Sequence, residues 1–140
     1  MNYLEPTRAS GAALFKRNIP GEVVMLNLLR FRDTADYSSA PDLAPERPIT
    51  GRAAFQRYVE HALPLLRESG GELLLIGDAG QFFIGPEDES WDVVMLVRQS
   101  SIASFLAFAS NADYLSGIGH RTAAIRDSRL LPISPRDIQR

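Results

Sequence analysis

The order of apolar and polar positions predicts a short helix, a strand, a long helix, two strands, further helix and a closing strand. Ala12, Ala13, Leu14 and Phe15 give an apolar side to a helix over 6–18, which Thr7 is placed to cap and Ile19-Pro20-Gly21 to end. Val23-Val24-Met25-Leu26-Asn27-Leu28-Leu29 is almost continuously apolar. Its shortness and its adjacent valines favour a buried strand over 22–31. Residues 33–50 are rich in Pro, Ser, Ala and Asp, and read as a loop of up to eighteen residues, a mobile insertion or a lid. Tyr37, inside it, is expected to be exposed unless the loop closes over a site.

Phe55, Tyr58, Val59, Ala62, Leu65 and Leu66 then recur at helical spacing. They predict a helix from Thr50 or Gly51 to about Ser69, stopped by Gly70-Gly71. Pro64 inside it is expected to bend the helix near Glu60 and His61, or to end it early. Residues 72–84 read as a long strand interrupted at Gly77-Asp78-Ala79-Gly80 by a bulge or tight hairpin. A polar turn over 85–90 leads to a strand from Trp91 to Arg98, whose Val93-Val94-Met95-Leu96-Val97 run implies burial on both faces. Ser100 or Ser101 caps a helix to Ala109, Asn111 restarts one towards Arg126, and Leu130 to Ile133 forms a short last strand. The chain divides into a helical extension over 1–21, one domain over 22–133 and a polar tail from Ser134, expected to fray.

Strand, helix, strand, strand, helix, strand is the split β-α-β plan. It predicts a ferredoxin-like α+β fold, an antiparallel four-stranded sheet with helices on one face. Yet the first and third strands are apolar on both faces, and a soluble monomer does not tolerate a large wet apolar face. A second copy covering that face, in a two-fold homodimer, is the expected remedy.

Composition removes several classes of chemistry. The 140 residues include no cysteine, so disulfides, thiolate metal sites and cysteine nucleophiles are absent. His61 and His120 lie 59 positions apart, without a short metal-binding spacing. Net charge is −2 and fourteen of the fifteen basic residues are scattered arginines, which disfavours nucleic acid as a partner. Lys16, the sole lysine, falls in a surface helix, which disfavours Schiff-base chemistry. No apolar run approaches the ~18–20 residues of a membrane span, and Met1-Asn2-Tyr3-Leu4-Glu5-Pro6 does not read as a signal peptide, so a cytoplasmic protein is expected. Phosphate-binding, dinucleotide and nucleophile-elbow motifs do not occur. No cofactor is expected.

Several positions together resemble the DUF1330 family of the dimeric ferredoxin-like (α+β barrel) superfamily. They are Val24-Met25-Leu26-Asn27-Leu28-Leu29-Arg30-Phe31, Tyr58, Gly70-Gly71, Trp91-Asp92, Ser100, Asp113-Tyr114 and Arg121. The resemblance runs from about Glu22 to Ile133. The N-terminal helix and the 33–50 loop depart from the shortest members. It implies a dimeric ferredoxin-like fold and says little of activity, since the wider superfamily holds cofactor-free monooxygenases, isomerases, haem enzymes and ligand-sensing domains.

Eight residues are candidates for a site. Asn27, mid-strand among apolar neighbours, needs hydrogen-bond partners, either a ligand carbonyl or its own backbone. Tyr114, Ile118, Arg121 and Ile125 fall on one helical stripe. The inward Arg121 guanidinium would hold a substrate carboxylate, or pair structurally with Asp92 or another carboxylate. His61 is the acid-base candidate by type, and Tyr58 the second; a capping or exposed histidine is the plainer account of His61. Tyr58, Trp91 and Tyr114 would line an aromatic pocket or simply fill the core. Arg30 and Asp92 are expected to form an ion pair at the strand ends. The resulting expectation is a small organic anion or carbonyl ligand, turned over by isomerase, lyase or monooxygenase chemistry. The alternative is a non-catalytic ligand-binding or accessory module.

Overall fold

Side chains alternate strictly along β1 (Val23–Phe31), and that alternation organises the molecule. The computed structural model describes residues 2–138; the parts of the opening segment and of the polar tail that fall on Met1, Gln139 and Arg140 lie outside it. Val23, Met25, Asn27, Leu29 and Phe31 are buried, while Val24, Leu26, Leu28 and Arg30 point the other way and are half-buried. Around β1 stand α1 (Arg8–Lys16), α2 (Gly51–Glu68), β2 (Glu72–Asp78), β3 (Val93–Gln99), α3 (Ile102–Ala109), α4 (Ala112–Leu115), α5 (Ile118–Ala124) and β4 (Ile125–Ile133). The sheet order is β2-β3-β1-β4 and every pairing is antiparallel, the ferredoxin-like arrangement the element order predicts.

The core forms where the buried set of β1 meets α2 and α5: Leu29, Phe31, Phe55, Ala54, Met95, Ala123, Ala124 and Ile125 pack together. Thr50 caps α2 by accepting the Ala53 N–H at 3.0 Å. Pro64 does not end this helix, which continues to Glu68. The helical bond it forfeits is offset by burial of Ala62 and Leu66 on either side of it.

The other face carries Val24, Leu26 and Leu28 of β1, Val94 and Leu96 of β3, Leu75 of β2, and Leu131 and Ile133 of β4, placed together by the strand register. Leu75 and Leu131 are 51% and 57% exposed. On the central strands Val24, Leu26, Leu28, Val94 and Leu96 are half-buried, so this apolar face stays partly open within one chain.

Three expectations need correction. First, β2 ends at Asp78, and Phe82, Phe83 and Ile84 are exposed in a hairpin joined by the Gln81–Ser90 bridge. These residues lie beyond the last β1–β3 pair, Leu29 with Val93. Second, the last helical region is broken. Gly117 packs against the His61 ring with no space for a Cβ, and β4 begins at Ile125, five residues before the expected strand. Third, the 33–50 loop is built into the fold. It contains a 3-10 turn at Pro41–Leu43, a Thr34–Thr50 bridge and a buried Tyr37, whose neighbour Asp36 donates its N–H to the Ala123 carbonyl at 2.9 Å. No described helix is long and apolar enough to cross a membrane.

Gly51 sits where the start of α2 meets β1 and α5. A Cβ there would collide with the Arg32 carbonyl and lie 2.7 Å from that of Ala124, both backbone atoms that cannot swing away. Gly51→Ala is expected to lose about 2–3 kcal/mol in chemical denaturation. Gly11→Ala, on an open helix face with nothing within 4 Å, is expected to gain roughly 0.5–1 kcal/mol. Equal effects at the two sites would contradict this packing.

Candidate functional site

Between α2, α3 and the sheet lies a cavity of about 70 Å³. It is lined by Tyr58, Val59, Ala62, Leu63 and Leu66 of α2, Leu73 of β2, Met95 and Val97 of β3, and Phe108 of α3. A single water needs roughly 10–15 Å³, so the space admits more than one small group, and apolar walls favour an apolar occupant. A stepped row of rings runs beside it. Phe31 meets Phe55 at 5.2 Å, Phe55 meets Tyr58 at 5.4 Å, Tyr58 meets Tyr114 at 6.1 Å, and Tyr114 meets Phe108 at 4.5 Å between centroids.

Tyr58 lines the cavity, and its hydroxyl is paired with that of Tyr114, which is not itself a lining residue. Tyr58 Oη and Tyr114 Oη lie 2.8 Å apart. Burial, reinforced by the neighbouring Tyr114 and its hydrogen bond and only partly opposed by the Arg121 charge, pushes the Tyr58 phenol well above its ordinary range. It is therefore a neutral donor and acceptor at physiological pH.

The remaining nominated residues divide among several places. Asn27 is buried on the helix side, where its Nδ2 donates to the Met25 carbonyl at 3.1 Å. His61 Nε2 donates to the Asp113 carbonyl at 2.7 Å, tying α2 to α4, and His61 is not among the residues lining the cavity. Arg121 is half-buried, and its guanidinium donates to the Leu4 carbonyl at 3.1 Å rather than pairing with Asp92. Asp92 accepts the Phe31 N–H at 2.7 Å, so the expected Arg30–Asp92 ion pair does not form. Arg30 instead donates to the Ser90 carbonyl at 3.0 and 2.6 Å and stands 4.0 Å from Asp127. Trp91, 2% exposed, has the Arg30 and Arg129 guanidinium carbons 4.8 and 5.0 Å from its ring centre. Of these candidates only Tyr58 lines the cavity, and its hydroxyl is paired with that of Tyr114.

Other polar groupings escaped the sequence reading. Asp127 and Ser128 of β4 are buried, and Asp127 accepts from the Tyr3 N–H and the Arg129 guanidinium, each at 2.8 Å. Burial alone would raise its carboxyl, but bonds from Tyr3, Arg129 and Ser128 together hold it below the usual carboxylate value. Tyr37 Oη and His120 Nδ1 lie 2.8 Å apart, fastening the 33–50 loop to α5. Burial, with the nearby charges of Arg57 and His61, lowers the His120 pKa, and burial raises that of Tyr37. Tyr37 carried a weak signal, as a large aromatic in an otherwise small and polar loop. A second concavity of about 430 Å³ lies between residues 39–43 and α4–α5, with Asp42 its one charged lining residue. Among the described residues, no group of three or more His, Asp or Glu is placed to hold a metal ion.

Removing either hydroxyl of the tyrosine pair is expected to cost about 1 kcal/mol in denaturation experiments. Both changes delete the same bond, so Tyr58→Phe with Tyr114→Phe should cost little more than either alone; full additivity would mean the two hydroxyls act separately. His120 should make stability pH-dependent. Its folded pKa lies below the unfolded value of about 6.5, so the unfolded chain takes the proton first as pH falls. Stability is then complete above about pH 6.5 and declines as pH drops through the folded pKa. The urea midpoint should fall between pH 7.5 and 5.5, and His120→Gln should flatten that slope.

Neither a family model nor a curated protein matches the chain. Solved structures do. The crystal structure of methylated RPA0582 protein aligns with a TM-score of 0.84 and 31% identity, covering 99% of this chain and 98% of that one. A second RPA0582 structure, from Rhodopseudomonas palustris and described as of unknown function, aligns at 0.83 with 31% identity over 98% and 99%. A dimeric protein of unknown function and ferredoxin-like fold from Bacteroides fragilis aligns at 0.50 with 11% identity, over 81% of this chain and 96% of that one, a likeness of fold alone. With 31% identity sustained over almost the whole length of both chains, this ferredoxin-like protein belongs to the family of Rhodopseudomonas palustris RPA0582.

Proposed function

We propose that the protein is a homodimeric, non-catalytic small-molecule-binding module of DUF1330 type. In this reading each subunit takes a small, largely apolar ligand with one hydroxyl or carbonyl group between α2, α3 and the sheet. The observation that carries it is the apolar cavity lined by Tyr58, whose hydroxyl is paired with that of Tyr114. Two hydroxyls bonded to each other still leave a donor or acceptor free for a ligand oxygen. Helix α3 supplies Phe108 to the wall yet has no fully buried residue, so its displacement widens the cavity at least cost.

Binding without turnover fits the polar groups better than acid-base chemistry does. The Nε2 proton of His61 is engaged by the Asp113 carbonyl, and burial keeps the Tyr58 phenol protonated. An anionic ligand gains little support, because Arg121 is directed to Leu4 and Asn27 to its own strand. The dimer is supported by the apolar open face of the sheet and by the dimeric description of the Bacteroides fragilis protein.

Thermal-shift screening with small phenols, aryl ketones and aliphatic carboxylates tests the reading. Phenols or ketones should raise Tm, carboxylates should not, and no hit should be consumed. Tyr58→Phe should weaken binding about 5–10-fold, the value of one hydrogen bond. Ala62→Leu, which fills the cavity, should abolish it. Binding that survives Ala62→Leu places the ligand elsewhere, and turnover of a hit would replace the module by an enzyme.

A further inference from the structure

The hairpin over residues 79–92 is firmly built and ends in bare apolar surface. Ala79 donates its N–H to Asp92 at 2.9 Å, Trp91 to Gly80 at 3.1 Å, and Gln81 and Ser90 form a bridge. Its base is clamped by two bonds from Arg30 to the Ser90 carbonyl and by the Arg30 and Arg129 contacts on Trp91. At the tip, Phe82 packs on Gly85, where a Cβ would lie 2.8 Å from the Phe82 ring. Phe83 and Ile84 are left 101% and 87% exposed. A fixed scaffold that holds two large apolar side chains out into water is organised to meet another surface.

Area and continuity with the open sheet face argue for a second copy of this chain as that surface. Four strands spaced about 4.8 Å apart, each rising about 3.3 Å per residue, give the open sheet face a footprint on the order of 500 Å². A stable interface buries about 800 Å² per partner. One fully exposed aromatic side chain supplies about 150–250 Å², so the tip provides much of the difference. It also continues β2 and β3, which carry Leu75, Val94 and Leu96 on the open face.

We propose that the 79–92 hairpin is a dimerisation arm, with Phe83 and Ile84 buried against a second copy of this chain. The inference rests on the homodimer proposed above and adds the element that completes its interface. The dimer dissociation constant, measured by sedimentation on dilution, tests both. Phe83→Ser with Ile84→Ser should weaken it at least 10-fold with an unchanged circular dichroism spectrum, whereas Leu96→Asp on the open face should give monomers. Ile84→Cys offers a second measurement, because the chain has no other thiol. An environment-sensitive dye there should shift to the blue on going from dilute monomer to concentrated dimer. A wild-type dimer whose constant changes less than 2-fold in the double variant, or whose dye stays wet, overturns the arm and leaves the dimer standing. A wild-type chain that is monomeric at micromolar concentration overturns the dimer and the arm with it.

Discussion

The two-residue period of β1 is the constraint on which the rest of the structure depends. Because β1 lies between β3 and β4, its buried set of Met25, Asn27, Leu29 and Phe31 decides which sheet face the helices must cover. The same period sends Val24, Leu26 and Leu28 to the opposite face. A one-residue slip would exchange the two sets and place Arg30 against the helices. Helices on one side and apolar surface on the other are thus consequences of one register.

On the helix side, packing is uneven in an informative way. The end near Phe31 is closed by Phe55, Ala123, Ala124 and Ile125. Towards α3 the layer thins, and the cavity forms where Leu73, Met95 and Val97 of the sheet face Ala62 and Leu66 of α2. The small side chain of Ala62 on α2 leaves volume there, and the rings of Tyr58 and Phe108 stand at its wall. Polar groups of the types a reactive centre uses are held by backbone carbonyls: Asn27 by Met25, His61 by Asp113 and Arg121 by Leu4.

The N-terminal segment has a structural task that its composition hides. The Tyr3 N–H satisfies Asp127, the Tyr3 carbonyl takes the Ser128 N–H and hydroxyl, and the Leu4 carbonyl takes Arg121. These bonds allow β4 to begin at Ile125 with a charged and a polar side chain buried. Without such partners, buried Asp and Ser side chains would be costly.

Long-period and short-period hydrophobic patterns were legible in the chain itself. The stripe of Phe55, Tyr58, Ala62 and Leu66 specified α2, the apolar runs specified β1 and β3, and their order specified the split β-α-β plan. Each of these signals is local, generated by neighbours within one element. The partners of polar residues were not legible, because they come from remote segments: Asp127 from Tyr3, Asp92 from Phe31, Tyr37 from His120, and Tyr58 from Tyr114. The sequence by itself determined α2, β1 and β3, the order of the elements and the presence of surplus apolar surface. Only the tertiary structure decided which polar groups are spent on the fold and where a cavity remains, since both depend on distances between residues that the chain order does not contain.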